Sequence, residues 1–380
     1  MRRILTVLLV LLVALAAYLL LWPVPIEPVV WSAPPDPGYQ GPHAVNHKLA
    51  GLNHLELGED VGPEHIVVRD GHVYAAVLSG AILRLAPDGA SSEVVVNTGG
   101  RPLGFDFDAQ GDMIIADPMR GLLKATHLGA DAKIDVLAAT VDHPVKGDPI
   151  LYADGVVVAP DGRIYFTDAS RRFAPAKWGG TFNASVLDIL EHQCTGRLLE
   201  YEPTTKTTRV VMTGLCFPNG LALSEDGKSL FLTETGEYRI WKVAVDAKEL
   251  DAKQLAAQPS EQARVLFSNL PGYPDNLMRG QEGRIWVGFT KPRGAFVDKA
   301  AGKPWLRALS VRLPRSLWPV PKPYGHVFAF DEEGRVLVDM QDPSGAYPEA
   351  TSVTETADRL YIQSLHAKAL GWVDKKAAGL

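Results

Sequence analysis

The sequence predicts an all-β fold, a six-bladed β-propeller preceded by a single N-terminal transmembrane helix. Three observations predict it: a strand-turn-strand unit recurring from residue 64 onward, Asp-Gly turns inside the units, and one uninterrupted apolar run near the N-terminus. With 380 residues, 46% of them hydrophobic, the chain has enough apolar material for a large core. Its net charge of −6 gives no global basic field, which argues against a nucleic-acid partner.

Ile4 to Trp22 is apolar, free of charge and about as long as a bilayer-crossing helix, with Arg2 and Arg3 just before it. A positive flank stays cytoplasmic, so residues 1–22 read as a membrane anchor and the rest as extracytoplasmic. Ala14-Leu15-Ala16 offers a competing signal-peptidase site, but the apolar run continues past it to Trp22, further than an ordinary signal core extends. Pro23, Pro25, Pro28, Pro34, Pro35, Pro37 and Pro42 then make residues 23–45 a stiff spacer, leaving 46–380 for the propeller. Two cysteines, Cys194 and Cys216, are too few for a disulfide scaffold; they either pair or remain buried thiols.

The repeat reads GPEHIVVRDGHVYAAV, RPLGFDFDAQGDMIIAD, YADGVVVAPDGRIYFTD, FPNGLALSEDGKSLFLTE, YPDNLMRGQEGRIWVGF and YPEATSVTETADRLYIQS. Period-two alternation around turns such as Asp161-Gly162, Asp226-Gly227 and Glu282-Gly283 marks β-hairpins. Spacings of about 40 to 75 residues suit four-stranded blades with insertions, placed near 171–195 and 291–324. A two-sheet sandwich would not explain the repetition.

The first strand of each propeller blade lines the central channel, so the polar residue that opens each copy faces one axis. Those residues are Glu64, Arg101, Asp154, Asn219, Asp275 with Asn276, and the stretch Glu349 to Ser352. Glu64, Asn219 and Asp275 offer two carboxylates and an amide carbonyl, the hard oxygen donors that calcium, or another divalent cation, prefers. Pro-Asn-Gly and Pro-Asp-Asn also form turns, but their equivalent placement in the repeat favours the ligand role. No Cys or His cluster has zinc spacing.

Pro63-Glu64, Phe217-Pro218-Asn219-Gly220 and Gly272-Tyr273-Pro274-Asp275-Asn276 resemble the six-bladed calcium propellers of the gluconolactonase (senescence marker protein) and strictosidine-synthase-like group. The likeness is closer to the adipocyte plasma membrane-associated members, through the anchor, Tyr165-Phe166-Thr167-Asp168-Ala169-Ser170 and Gly196-Arg197-Leu198-Leu199-Glu200-Tyr201, and it extends over nearly all of residues 50–375. The resemblance implies a metal held by Glu64, Asn219 and Asp275, and hydrolysis of a small-molecule lactone or aryl ester. Many lactonases of the group carry Asn where this chain has Ala153, so Asp154 or water takes that place. The acid/base glutamate of true strictosidine synthases falls at or near Thr351, with Glu349 and Glu355 close by, which disfavours condensation chemistry.

Metal-assisted hydrolysis then assigns Asp275 as the proton acceptor and Arg101, Asp154 and Asn276 as substrate contacts. The alternative is a non-catalytic binding propeller with a structural metal. His65 is expected to point off the channel, and Asp168 and Ser170 to serve turns and packing. Leu306, Leu309, Leu313 and Leu317 share one helical face that Arg307, Arg312 and Arg315 leave. The segment 303–317 is therefore expected to be a basic helix serving as a lid on the channel mouth, or lying on the membrane. A second helix is expected over Ala184 to His192.

Overall fold

The computed structural model describes residues 2–380. Six sheets follow one another along the chain as blades. Their innermost strands are His65–Arg69, Gly104–Phe107, Ala153–Val158, Pro218–Leu223, Gly272–Arg279 and Ala350–Glu355. Each runs antiparallel to the next strand outward, as in Ile66 paired with Ala75 and Leu221 with Leu232. The six copies seen in the sequence are thus the inner hairpins of six blades. The ring closes through Asn53–Glu56, which pairs antiparallel with Ala369–Asp374 and becomes the outermost strand of blade six. A strand from the start of the domain thereby fastens its end.

Blades pack through their apolar faces. Trp286, Val327 and Met340 of blade five meet Val353, Leu360 and Ile362 of blade six, all at 8% exposure or less. Hydroxyl groups stitch the same seams near the axis: Thr167 donates to the Asn219 carbonyl at 2.8 Å and Thr233 to the Asp275 carbonyl at 2.6 Å. Each also accepts a backbone N–H from its own blade, from Gly155 and Gly220 respectively. These bonds satisfy groups that would otherwise be orphaned where inner strands diverge.

The N-terminal helix Arg2–Leu21 has nearly all its side chains exposed and meets the rest of the chain near its end, through Tyr18, and its mean hydropathy and length suffice to cross a membrane. The proline-rich segment behind it is not a free spacer. Ile26 is buried in the cluster with Phe173, Leu187 and Val297, Val29 N donates to the Glu191 carbonyl, and Arg293 holds the Pro34 carbonyl. Both insertions and this segment form a single cap on one face of the propeller.

The insertions differ from expectation. The helix over the channel is Thr181–Glu191, not the basic segment; the latter supplies the helix Pro304–Val311, which packs against the first from outside. Arg307, expected on a solvated face, is fully buried, because its guanidinium satisfies the carbonyls of Leu190 and Val29. Leu317, expected in the apolar stripe, is 62% exposed. Cys194 and Cys216 are joined in a disulfide that ties the end of the Thr181–Glu191 helix to the start of blade four.

Candidate active site

In blades three to six the inner strand carries a register shift at the same place: between Ala153 and Val156, Pro218 and Leu221, Pro274 and Leu277, and Ala350 and Val353. Such bulges re-aim side chains. Here they bring Asp154, Asn219 and Asp275 to the axis. The glycines after Asp154 and Asn219 are explained by close approach rather than by a turn. A Cβ on Gly155 would strike the Asn219 carbonyl, and one on Gly220 would strike the backbone of Asn276 and Leu277.

Glu64, Arg101, Asp154, Asn219 and Asp275 line one cavity of about 100 Å³ at the cap end of the channel. All are at most 5% exposed. Arg101 Nη2 donates to Glu64 Oε2 at 3.1 Å, and Asn219 Nδ2 to Asp275 Oδ2 at 3.2 Å. Asn276 N donates to Asp275 Oδ1 at 3.1 Å. Asp154 Oδ1, Asn219 Oδ1 and Arg101 Nε have no partner among the described residues. Burial pushes the Glu64 carboxyl up to about 7, although Arg101 opposes this. Asp275 is raised well above the carboxylate range by burial and by the charges of Glu64 and Asp154, and Asp154 by burial and Glu64.

Three buried carboxyls whose pKa values burial and one another's charges raise, beside orphaned oxygens on Asp154 and Asn219, fit a divalent cation with oxygen ligands. Glu64, Asn219 and Asp275 could hold it, with Asp154 as a further donor.

The walls are apolar. Phe182, Val186 and Ile189 of the Thr181–Glu191 helix, Phe217 of blade four, and Val320 face the same space. The sequence reading did not find these, nor Tyr152, Tyr273, Lys291 and His366, which also line it. One signal was available: an aromatic residue stands two positions before the polar one in Tyr152-Ala153-Asp154, Phe217-Pro218-Asn219 and Tyr273-Pro274-Asp275. Phe217 takes a φ of 55°, a conformation uncommon for a side chain of this size.

Asn276 is not placed for substrate. Its Nδ2 donates to the Glu64 backbone carbonyl at 3.0 Å and the residue is 1% exposed, so Asn276 ties blade five to the start of blade one while Asp275 faces the cavity. Arg101 is a channel residue rather than a surface one. Thr351 donates to the same Glu64 carbonyl at 2.7 Å. Glu349 is bound by Lys291 at 2.7 Å and by His366, and Glu355 lies in a separate ion-pair group with Arg284 and Lys375. His65 packs edge-on to Phe105, and burial lowers its pKa to about 4. Asp168 pairs with Arg197, and Ser170 donates to Asp188, both as packing groups.

A His/Cys group that sequence spacing did not reveal lies under the cap: His192, Cys194, Cys216 and Glu237. Its sulfurs are bonded to each other, which takes them out of metal binding.

Fold and cavity together define a six-bladed propeller with an acidic, roofed channel site. Comparison with known proteins agrees with the fold. The strictosidine synthase family model matches residues 154–248, and that of the strictosidine synthase-like N-terminal region matches 41–85. Strictosidine synthase-like protein 7 of Arabidopsis thaliana is 31% identical over 305 residues, covering 79% of this chain and 72% of that one. The chain belongs to the strictosidine synthase-like family. It is also 28% identical to the adipocyte plasma membrane-associated protein of Salmo salar, over 92% of this chain and 84% of that one. Among solved structures, a gluconolactonase from Xanthomonas campestris superposes with a TM-score of 0.58 at 19% identity, covering 92% and 97% of the two chains. Regucalcin of Agrobacterium tumefaciens, described as calcium-binding, gives 0.53 at 14%, covering 85% and 93%. At such identities the structural likeness establishes the fold.

Proposed function

We propose that the protein is a divalent-cation-dependent hydrolase of lactones or aryl esters, tethered to a membrane by the Arg2–Leu21 helix with its propeller on the extracytoplasmic side. The observation that carries the reading is the buried ring of Glu64, Asp154, Asn219 and Asp275, with orphaned oxygens, opening into an apolar cavity. Calcium suits this all-oxygen donor set. When bound, such an ion supplies Lewis-acid polarisation of a carbonyl and makes water more acidic. Asp275 accepts the proton of the attacking water. Arg101, with Nε free, donates to the carbonyl oxygen as charge builds on it. Phe182, Val186 and Phe217 hold the acyl or aryl portion and exclude bulk water. The anchor reading is supported by the apolar helix and by the Salmo salar relative, whose name places it at a plasma membrane.

The test is hydrolysis of a panel of lactones and aryl acetates by the full-length protein in detergent, with chelator and after calcium is restored. Cleavage that stops with chelator and returns with calcium is expected. A calcium-dependent rise in melting temperature without cleavage of any substrate would make the ion a structural plug and end the hydrolase reading.

A further inference from the structure

The cap carries a surface that the channel site does not use. Residues 291–324 hold eight Lys or Arg side chains against one acid, Asp298. Arg293 and Arg307 are buried against backbone carbonyls, whereas Lys299, Lys303, Arg315 and Lys322 are exposed. Among these charges stand two large apolar side chains in solvent, Trp305 and Leu317, each 62% exposed. Val30 of the proline-rich segment, 68% exposed, adjoins Val29, whose carbonyl Arg307 holds. Aromatic and aliphatic tips set among cations match a phospholipid interface, where tips enter the acyl boundary and cations meet anionic head groups.

The position of this surface is fixed by the chain. Tyr18 Oη donates to the Arg312 carbonyl at 2.8 Å, and Arg312 Nε donates to the Trp22 carbonyl at 2.7 Å, so the end of the anchor helix touches the basic insertion. Ile26, five residues past the helix end at Leu21, is already buried in the cap. Five residues span at most roughly 17 Å. A bilayer holding the anchor therefore lies within that reach of the cap, and the opposite face of the propeller is the one turned to bulk solvent.

We propose that the cap is a second membrane contact. Lys303, Arg315 and Lys322 lie on anionic head groups, Trp305 and Leu317 enter the interface, and the face bearing the cavity mouth looks toward the bilayer. This rests on the anchor reading but not on hydrolysis.

The experiment uses the full-length protein in nanodiscs of phosphatidylcholine, with and without phosphatidylglycerol, containing a spin-labelled quencher lipid. Leu317→Cys is labelled with a fluorophore, the native cysteines being paired. Asp226→Cys, in the turn beyond the far end of the Asn219 strand, labels the opposite face. Quenching at 317 and not at 226 in anionic discs is expected. Charge reversal of Lys303, Arg315 and Lys322 to Glu should lower it at least twofold, and so should Trp305→Ser. All four sites are exposed, so folding is spared. Quenching at 317 no greater than at 226, in protein that stays with the membrane through carbonate, overturns the docking while leaving the anchor intact. Release by carbonate overturns the anchor and the docking with it. Quenching that is unchanged by charge reversal or by omission of phosphatidylglycerol overturns the anionic contact.

Discussion

Two buried carboxylate groups in this molecule have opposite electrostatics. On blade five, Asp339 accepts hydrogen bonds from His43 and His326 at 2.7 Å each, from Asn46 Nδ2 at 2.9 Å and from Gln341 Nε2 at 2.6 Å. Burial would raise its pKa, but those donors hold it well below the usual carboxylate range. In the channel, burial works in the same direction on Glu64, Asp154 and Asp275, and too few donors oppose it. Burial therefore does not separate a structural carboxylate from a site carboxylate; the supply of donors does. The Asp339 carboxylate has its full set of donors, while Asp154 and Asn219 in the channel ring keep oxygens without partners.

The sharpest way to break this contrast is to remove one acid from each group. Asp339→Ala leaves four donors without their acceptor, His326 and Gln341 fully buried and His43 and Asn46 partly so, a loss of about 3–5 kcal/mol by the measure of broken buried pairs. The melting temperature should fall on the order of 5–10 °C, with hydrolysis per folded molecule unchanged. Asp275→Asn should do the reverse. It keeps an oxygen for the cation and relieves repulsion from Glu64 and Asp154, so melting should hold or rise slightly. Turnover should fall by about 100-fold or more as the proton acceptor is lost. Equal loss of stability in both variants would place Asp275 among the structural carboxylates, and undiminished turnover would remove it from the mechanism.

Only the channel side of this contrast could be read along the chain, for reasons the structure makes plain. Period-two alternation and Asp-Gly turns are local, so the six inner hairpins were legible, and with them the axis on which Glu64, Arg101, Asp154, Asn219 and Asp275 gather. Asn276 was expected to reach substrate because it flanks Asp275 at the blade entrance; its Nδ2 instead bonds the Glu64 carbonyl, a partner 212 residues away that adjacency in sequence does not reveal. The closing strand Asn53–Glu56 has no partner nearby in sequence, so its role was hidden. Arg307 looked solvated because its charge said so; the carbonyls it satisfies belong to residues 190 and 29, far from it along the chain. The Asp339 group draws His43, Asn46 and His326 from opposite ends of the domain, and no spacing announces it.

The smallest expected effect tests the channel group by titration. With the cation chelated, Glu64 has a folded pKa near 7 against an ordinary 4.5, burial being the main cause. Between those values the native state keeps a proton that the unfolded chain has released, so stability falls as pH rises through that window. Asp154 and Asp275, also raised, act in the same direction. Asp339, depressed, contributes stability that is present above the ordinary carboxylate pKa and is lost only in stronger acid. The chelated protein should therefore lose a few degrees of melting temperature between pH 4.5 and 7. Saturating calcium should restore more at the upper end of that range than at the lower, because the ligands must give up protons to bind it. A chelated protein whose melting temperature does not fall across the window would mean that the channel carboxyls ionise at or below their ordinary pKa. The ring would then be as well supplied with partners as Asp339, and the case for a cation at the axis would fall.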